Sequence, residues 1–258
     1  MIDDTAVVTT FRYCNNESRL KNLRIFKEHY KKYYNHFVIV EQDKVSAAIP
    51  EVQSDNDIKY IFAYNAGEFN RSWGLNIGAM QFIDDVKIRN ILFCDIDVIL
   101  NDNAIYESEI SIKTDGFVNP YSYIKHLNED STKFFEEKKF TINIGGGVTT
   151  PSFAGGALLM SKEVFKEVNG WDEVYRGWGG EDNALAYLLL RRYKTFTTIK
   201  NGKAVHLFHN SDFPNQIKKN HSYYKSNLDR ARWITKIGVN SYMRIKRKEK
   251  IGNIERYL

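Results

Sequence analysis

Residues 90–97, NILFCDID, join a short apolar run to two acidic residues, and this stretch decides the fold class. The run at 90–94 has the length and apolar character of a strand that is buried on both faces. Asp95 and Asp97 follow it directly, so both carboxylates emerge at the carboxyl end of the strand. Open α/β sheets bind their ligands at this edge. The stretch therefore predicts an α/β protein with an acidic ligand site at the sheet edge.

Strand-like and helix-like segments alternate on both sides of this stretch. The predicted strands are residues 5–11, 37–40, 58–62, 90–94 and 196–199. The predicted helices are residues 20–30, a segment capped by Asn70, a segment from Ser161 to Val168 that Asn169-Gly170 ends, and residues 181–192. Regular alternation of this kind predicts a Rossmann-like, mostly parallel sheet that is flanked by helices.

The alternating pattern weakens between Lys113 and Thr150. A charged stretch there leads to Gly145-Gly146-Gly147, which we interpret as an excursion that closes over a site rather than as a linker. We predict one catalytic domain at residues 1–219. Residues 220–258 are expected to form a helical, basic extension that is packed on this domain or trails from it.

The composition narrows the classes of partner. The chain has 258 residues with 37 Lys and Arg against 32 Asp and Glu, and the segment 244–250 (RIKRKEK) alone holds five bases and one acid. The rest is nearly neutral, which argues against a nucleic-acid-binding face. The segment is either a solvated tail or a contact with anionic lipid. The N-terminus is acidic, the two cysteines match no disulfide or metal motif, and the sequence has no apolar run of ~18 residues. These features favour a cytoplasmic protein with peripheral membrane contact at most.

Two histidines strengthen the interpretation of the acidic pair as a metal site. His206 and His209 are three apart in AVHLFH, a spacing that lets both imidazoles reach one ion in a turn. Mixed ligation by Asp and His suits Mn²⁺ better than Mg²⁺. Asp-x-Asp after a strand also occurs as plain turn chemistry, and a single His pair can be one core and one surface residue, so these alternatives stay open.

Residues 177–182, GWGGED, are the most specific signal in the chain. The glycines let the backbone approach a ligand closely, and Glu181 and Asp182 begin a helix, where a carboxylate is held and ionised. Either acid can act as the base that removes a proton from an attacking hydroxyl, and Trp178 can stack on a sugar ring. The alternative is that the acids only cap the helix and Trp178 fills the core.

Taken together, these segments resemble the β-1,4-galactosyltransferase family, whose carboxyl-terminal motif is shared with polypeptide N-acetylgalactosaminyltransferases and chondroitin-type polymerases. The matching stretches are Phe11-Arg12, FNRSWGLNIG at 69–78, Asp95-Ile96-Asp97, FAGGALLMSKEVFKEVNGW at 153–171, and GWGGED. The resemblance implies a GT-A glycosyltransferase fold. It also implies a nucleotide-sugar donor site that is formed by Phe11, Arg12, Phe69, Arg71, Asp95 and Ile96.

The same resemblance assigns the other roles. It implies Asp182 as the catalytic base with Glu181 beside it, and an acceptor site at Trp178, Gly179, Gly180 and Glu181. It implies Asp97, His206 and His209 as metal ligands, where His206 replaces a methionine of the galactosyltransferases. Because imidazole is a harder ligand than a thioether, we expect Mg²⁺ to support activity beside Mn²⁺. Asn183 stands where the family has a third acid, so the acceptor contacts differ there.

We therefore expect an inverting, metal-dependent glycosyltransferase that moves galactose or N-acetylgalactosamine from a UDP-sugar to a glycan or lipid-linked saccharide. Two rival functions are a metal-dependent phosphoester hydrolase or nucleotidyl transferase, and a sugar-nucleotide-binding module without turnover. If the protein were a hydrolase, the GWGGED segment would have no role in the reaction. The retained Asp182 argues against the binding module.

Overall fold

A computed structural model describes residues 1–47, 52, 57–138, 148–149, 155–177, 179–193, 197–210 and 222–257. The strands are Ile2–Phe11 (β1), Tyr34–Asp43 (β2), Ile58–Tyr64 (β3), Asn90–Cys94 (β4), Val98–Leu100 (β5), Phe117–Asn119 (β6), Tyr123–His126 (β7), Val148–Thr149 (β8), Ala157–Ser161 (β9), Thr197–Thr198 (β10) and Lys203–His206 (β11). The helices are Glu17–Tyr30 (α1), Arg71–Met80 (α2), Asp102–Asp115 (α3), Glu129–Glu137 (α4), Lys162–Val168 (α5), Glu181–Arg192 (α6), Ser222–Ile237 (α7) and Val239–Lys246 (α8).

Four helices begin where a short polar side chain caps them. The side chains of Asn70, Asn101, Asn128 and Ser161 each accept a hydrogen bond from the backbone N–H three residues ahead. Such a bond satisfies one of the backbone donors that a helix start leaves unpaired. The predicted caps at Asn70 and Ser161 are confirmed. Asn169, in the left-handed conformation, ends α5 as predicted.

The larger sheet has seven strands in the order β10-β6-β9-β4-β1-β2-β3. All of its pairings are parallel except those of β9, which runs antiparallel to β4 and β6. Helix α2 packs against β1 and β2, and buried residues fill the space between the sheet and the helices on both faces. The predicted mostly parallel α/β sheet is confirmed. Strand β4 lies in its middle, so Asp95 emerges at the centre of the sheet edge.

A second sheet of four strands, in the order β5-β11-β7-β8, lies beyond that edge. The alternating pattern of the sequence weakens over 113–150, yet this region contains β6, β7, β8 and the helix α4. Strands of three and four residues are too short to show a periodic pattern, and a helix of nine residues spans only two to three turns. Gly145–Gly147, the predicted excursion over the site, lies outside the described residues.

The C-terminal residues 222–257 pack on the domain. Ile234, Tyr242 and Met243 share one buried cluster with residues of β1, β4 and α6. Lys246, from the predicted basic tail, is 1% exposed and donates hydrogen bonds to the carbonyls of Asn169 and Gly170. Of the two expected arrangements, packed or trailing, the described part of the segment is packed. Across the described residues, the helices are too short or too polar to cross a bilayer.

Candidate active site

The three predicted metal ligands, Asp97, His206 and His209, lie together. Strand β11 pairs antiparallel with β5 and places His206 opposite Val98. The backbone N–H of Leu207 donates to the carbonyl of Asp97 at 2.7 Å, which holds the two segments side by side. One ligand atom from each of the three residues lies within 4.8 Å of the others. The smaller sheet thus assembles three side chains around a volume that one divalent cation can occupy.

The two imidazoles are oriented for metal binding. Their Nε2 atoms lie 3.7 Å (His206) and 3.2 Å (His209) from Oδ2 of Asp97. Each Nδ1 faces a backbone carbonyl, that of Leu207 at 3.0 Å and that of Asn210 at 3.2 Å. A carbonyl only accepts, so each Nδ1 carries a proton, and Nε2 is the nitrogen that faces Asp97: without a cation, Nε2 of His209 donates a proton to Asp97, and with a cation the Nε2 lone pairs become ligands. Three electron-pair donors that face one another need a cation or a proton between them, which fits a metal site.

Asp97 is ionised in this setting. Burial opposes its charge, but the adjoining His206 and the hydrogen bond from His209 outweigh burial and lower its pKa to about 2. A carboxylate must be deprotonated to bind a cation. Asp97 therefore has the state that a metal ligand requires.

The second acid of the motif, Asp95, points to a different set of residues. Arg71, at the start of α2, donates through Nε to Oδ1 of Asp95 at 2.7 Å and through Nη1 to Oδ1 of Asp182 at 2.9 Å. Its guanidinium also lies over the ring of Trp171, 4.9 Å from the centroid. One arginine thus joins the sheet edge that carries the metal ligand to the helix that carries the proposed base.

Mutual charge and burial tune this acidic cluster. Desolvation raises the pKa of Asp95 to about 6 against the attraction of Arg71. Desolvation and the neighbouring Asp182 raise the pKa of Glu181 to about 7. Burial works against the charge on Arg71, but Asp182 and Asp95 outweigh it and raise its pKa. Such shifted acids are typical of functional sites.

The glycine-rich segment before α6 adopts backbone conformations that favour glycine. Gly177, Gly179 and Gly180 have φ angles of 65°, 93° and 102°. The turn is anchored from two sides, because Gly177 N–H donates to the carbonyl of Phe69 at 2.7 Å and Asn227 Nδ2 donates to the carbonyl of Gly179 at 2.8 Å. Glu181 and Asp182 are thereby fixed in the first turn of α6. Trp178, the predicted stacking residue, lies outside the described residues.

Two further glycines lie at the entry to β9, and one of them leaves room for the Asp182 carboxylate. A Cβ atom on Gly155 would lie 2.1 Å from Oδ2 of Asp182, and one on Gly156 would lie 3.0 Å from Val98. The carbonyl of Gly156 accepts from the N–H of Asp95 at 2.7 Å, and that of Gly155 accepts from the Tyr121 hydroxyl. The entry to β9 is therefore part of the site, because only glycine permits the backbone to lie against Asp182.

The predicted donor residues divide into two groups. Phe11 and Ile96 are 2% and 6% exposed, so their side chains pack in the core and only their backbone can face a ligand. Arg12 donates to the carbonyls of Gln42, Asn65 and Gly67, and its guanidinium lies 5.9 Å from the ring of Phe69. Arg12 thus ties β1 to the loop after β3. Its contact with a nucleotide stays a prediction.

Sequence reasoning missed three polar residues of the site. His126 pairs with His206 across β7 and β11, and the ring centroids are 4.8 Å apart. Asn227, which is 4% exposed, reaches the glycine turn from α7, and Tyr121 reaches Gly155 from the end of β6. None of them lies in a motif. Only the pairing of β7 with β11 and the packing of α7 bring them to the site.

The assembled site can bind a cation and an anionic ligand at one end and can abstract a proton at the other. The Asp97 triad is a candidate cation site, and Asp182 is a carboxylate held by an arginine. Asp95 and Arg71 connect the two. This arrangement suits the transfer of a group from a phosphate-bearing donor to a hydroxyl.

Residues 143–210 match the protein family that is described as the N-terminal domain of galactosyltransferase. Beta-1,4-galactosyltransferase 1 of Bos taurus is 27% identical over 179 residues, which cover 69% of this chain and 34% of the bovine protein. Beta-1,4-galactosyltransferase 4 of Homo sapiens is 28% identical over 170 residues, 64% of this chain and 42% of the human protein. The chain thus spans between a third and a half of the length of these relatives.

Solved structures show the same fold. One match is the catalytic domain of Drosophila beta1,4galactosyltransferase 7 in complex with xylobiose. The aligned part covers 78% of this chain and 66% of the Drosophila chain, with a TM-score of 0.50 and 23% identity. A second match is GalNAc-T7, solved with UDP, GalNAc and Mn²⁺. The aligned part covers 81% of this chain and 44% of the GalNAc-T7 chain, with a TM-score of 0.52 and 14% identity. These likenesses confirm the predicted GT-A fold.

Proposed function

We propose that the chain is a β-1,4-galactosyltransferase-like enzyme, because it is similar to these proteins in sequence and in fold, and that it transfers a sugar from a UDP-sugar to a hydroxyl of an acceptor glycan. The observation that carries this proposal is the bridge from Asp95 through Arg71 to Asp182. This bridge joins Asp95, two residues from the proposed metal ligand Asp97, to Asp182 at the glycine-rich turn. A phosphoester hydrolase has no need of the second carboxylate.

Asp97, His206 and His209 would hold a Mn²⁺ ion. Their set of one carboxylate oxygen and two imidazole nitrogens suits this ion, and their lone pairs face one another. The related-fold protein GalNAc-T7 was solved with Mn²⁺ and UDP. When bound, the ion neutralises the negative charge that develops on a diphosphate leaving group. We expect Mg²⁺ to replace it with lower efficiency.

Asp182 is the proposed general base. Its Oδ1 accepts from Arg71, and Gly155 lies against its Oδ2. The carboxylate is therefore held in one position by two contacts, as a base for an acceptor hydroxyl must be. As the hydroxyl oxygen bonds to the anomeric carbon, Asp182 takes its proton and the bond to the diphosphate breaks. A single displacement of this kind inverts the anomeric configuration.

Glu181 and Arg71 have supporting roles. Glu181 stands next to the base at the glycine turn, where a carboxyl or carboxylate can hydrogen-bond an acceptor hydroxyl. Arg71 provides positive charge between the donor edge and the base, where it offsets the charge of the acids and of a bound diphosphate. Galactose and N-acetylgalactosamine are the proposed donor sugars, because the relatives are galactosyltransferases and GalNAc-T7 was solved with GalNAc.

The test is UDP release by the purified chain with Mn²⁺, single UDP-sugars and a mixed set of acceptor glycosides. We expect release that depends on one donor and on an acceptor. Asp182→Asn should lower turnover by about 10²–10⁴-fold while calorimetry shows unchanged UDP binding. His209→Ala should instead abolish Mn²⁺-dependent UDP binding. This contrast separates the base from the metal site.

Other outcomes would argue against the proposal. Equal UDP release without any acceptor would assign a hydrolase. Mn²⁺-dependent UDP binding without turnover on any donor would assign a binding module. If neither UDP nor Mn²⁺ binds, the donor site is wrong. A titration of divalent ions in the same assay tests the expected activity with Mg²⁺.

A further inference from the structure

A basic face forms where the last turns of α6 and α8 meet. It consists of Arg191, Arg192, Arg244, Arg247 and Lys248, all of which are exposed. Two adjoining grooves of about 430 and 610 Å³ share Arg192 and Asn240, and the described residues that line them include no carboxylate. One carboxylate, Glu167, pairs with Arg192 at a distance of 2.6 Å from Nε. Glu167 also interacts electrostatically with Arg247, so Arg191, Arg244 and Lys248 are the bases of this face for which the described residues show no carboxylate partner.

Helix C-termini attract bases, because the helix dipole is negative there. This accounts for one or two bases at each helix end. It does not account for the joining of both helix ends into one face, nor for the exposed apolar residues next to its bases in the sequence. Leu190 is 46% exposed and Ile245 is 40% exposed, and each adjoins a base of this face in the sequence. Exposed aliphatic side chains among bases fit a lipid headgroup layer better than a nucleic acid, which offers no apolar layer to enter.

We propose that this basic face docks the protein on an anionic lipid surface. The face differs from the tail that the sequence suggested, because Lys246 is buried and Arg191 and Arg192 of α6 take part. Helix α6 has 12 residues, carries Asp182 in its first turn and ends at the face. At 1.5 Å per residue the two ends are separated by about 18 Å. Lipid binding and the donor site can therefore be tested separately.

The test is sedimentation of the full chain with phosphatidylcholine vesicles, with and without phosphatidylserine, at low and high salt. We expect binding only with phosphatidylserine and a loss of binding at high salt. The triple variant Arg244→Glu/Arg247→Glu/Lys248→Glu should lower the partition coefficient by at least about 100-fold, because each base near an anionic surface strengthens binding about fivefold. Calorimetric binding of Mn²⁺ and UDP and the melting temperature should stay unchanged, which shows that the variant is folded.

The matched control reverses three exposed bases on other elements, Lys59→Glu/Lys87→Glu/Lys113→Glu. It changes the net charge by the same amount and should keep most of the vesicle binding. The proposal is overturned if the control loses as much binding as the face variant, or if the wild type does not bind phosphatidylserine vesicles. Salt-sensitive binding to a short RNA without any vesicle binding would assign the face to nucleic acid and would also overturn it.

Discussion

Arg71 holds Asp95 and Asp182 with two different nitrogens of one guanidinium, at 2.7 and 2.9 Å. Only a planar, forked donor group can reach both carboxylates at once. Arg71→Lys should keep the positive charge but lose one of the two contacts. We expect its kcat to fall about 100-fold, because the base is no longer held in place. Steady-state kinetics with separate kcat and donor KM values check this.

Arg71→Gln adds a test of charge. Desolvation and Asp182 raise the pKa of Glu181 to about 7, and Arg71 lowers it. Removal of the arginine charge should raise this pKa further, so Glu181 stays protonated to a higher pH. If turnover needs the ionised form, the acidic limb of the pH–rate profile moves to higher pH in Arg71→Gln and stays in place in Arg71→Lys. A change in donor KM alone, in both variants, would show that Arg71 acts only on the donor.

Gly155→Ala should damage the reaction without damaging the fold. The added Cβ would lie 2.1 Å from Oδ2 of Asp182, so the carboxylate has to move. A shift of about 1 Å at a catalytic group can lower turnover about 100-fold. Gly67→Ala is the control, because its Cβ meets Asn65 at an ordinary 3.4 Å. Melting temperatures near the wild-type value, with kcat lost only in Gly155→Ala, are expected. Equal activity of both variants would contradict the placement of Asp182.

His126→Ala should weaken metal binding. The His126 ring packs on His206 with centroids 4.8 Å apart and an interplanar angle of 33°, which restrains the His206 imidazole. Residues that orient a metal ligand commonly contribute 10–100-fold to affinity, so we expect a loss of about 10-fold in Mn²⁺ affinity by calorimetry. His36→Ala, which removes a histidine that contacts Phe82 instead, is the control. An unchanged Mn²⁺ affinity in His126→Ala would show that the stacked ring has no positioning role.

Sequence reasoning found the parts of the site that lie in motifs at the ends of long, buried elements. Strand β4 and helix α6 have the predicted bounds, because each combines a clear apolar pattern with a sharp boundary. Asp95 and Asp97 emerge at the carboxyl end of β4 as expected, and they contact two different clusters. These features follow from local chemistry and from the rule that ligands bind at the sheet edge.

The remainder depends on contacts between distant segments. His126 lies on a four-residue strand whose partner comes from a different part of the chain, and Asn227 reaches the glycine turn only because α7 packs there. Residues 129–137 form α4 although their charge suggested a loop. Short elements are stabilised by the packing around them rather than by their own pattern. A single sequence therefore does not reveal them.

Arg256 of the C-terminal segment should contribute strongly to stability, because it pairs with the buried Glu173 of the domain. This carboxylate is 4% exposed, and it accepts from Arg256 at 2.6 Å and from Asn76 at 2.8 Å. Arg256→Ala removes its partner and leaves a buried charge. We expect a loss of about 2–3 kcal/mol in the free energy of unfolding, less than for a fully buried pair because Arg256 is 30% exposed.

The control for this ion pair is Arg232→Ala. Arg232 pairs with Asp229 on the surface, with side chains that are 77% and 57% exposed. Its removal should change the free energy of unfolding by no more than about 0.5 kcal/mol. Urea unfolding of both variants measures the difference. Similar small losses in both would show that the Arg256–Glu173 pair stabilises the protein no more than a surface ion pair does.

Glu109 on α3 should make stability depend on pH. Its Oε2 accepts from the hydroxyl of Thr5 at 2.9 Å, and the hydroxyl of Tyr34 also donates to this carboxylate. Desolvation raises its pKa from 4.5 to about 7. Because the folded state holds this proton more tightly than the unfolded state, the stabilising effect is complete below pH 4.5 and is lost as pH rises through 7.

Glu109→Gln removes this titration and keeps an oxygen that accepts from Thr5. The variant should therefore gain stability over the wild type as pH rises from 4.5, and the gain should level off above the folded pKa of about 7. Thr5→Val tests the cause, because loss of the Thr5 hydrogen bond raises the pKa of Glu109 further and moves the levelling to higher pH. Urea unfolding across this pH range measures each difference. If Glu109→Gln differs from the wild type by the same free energy at every pH, Glu109 ionises in the folded protein as it does in the unfolded chain, and its burial has no electrostatic cost.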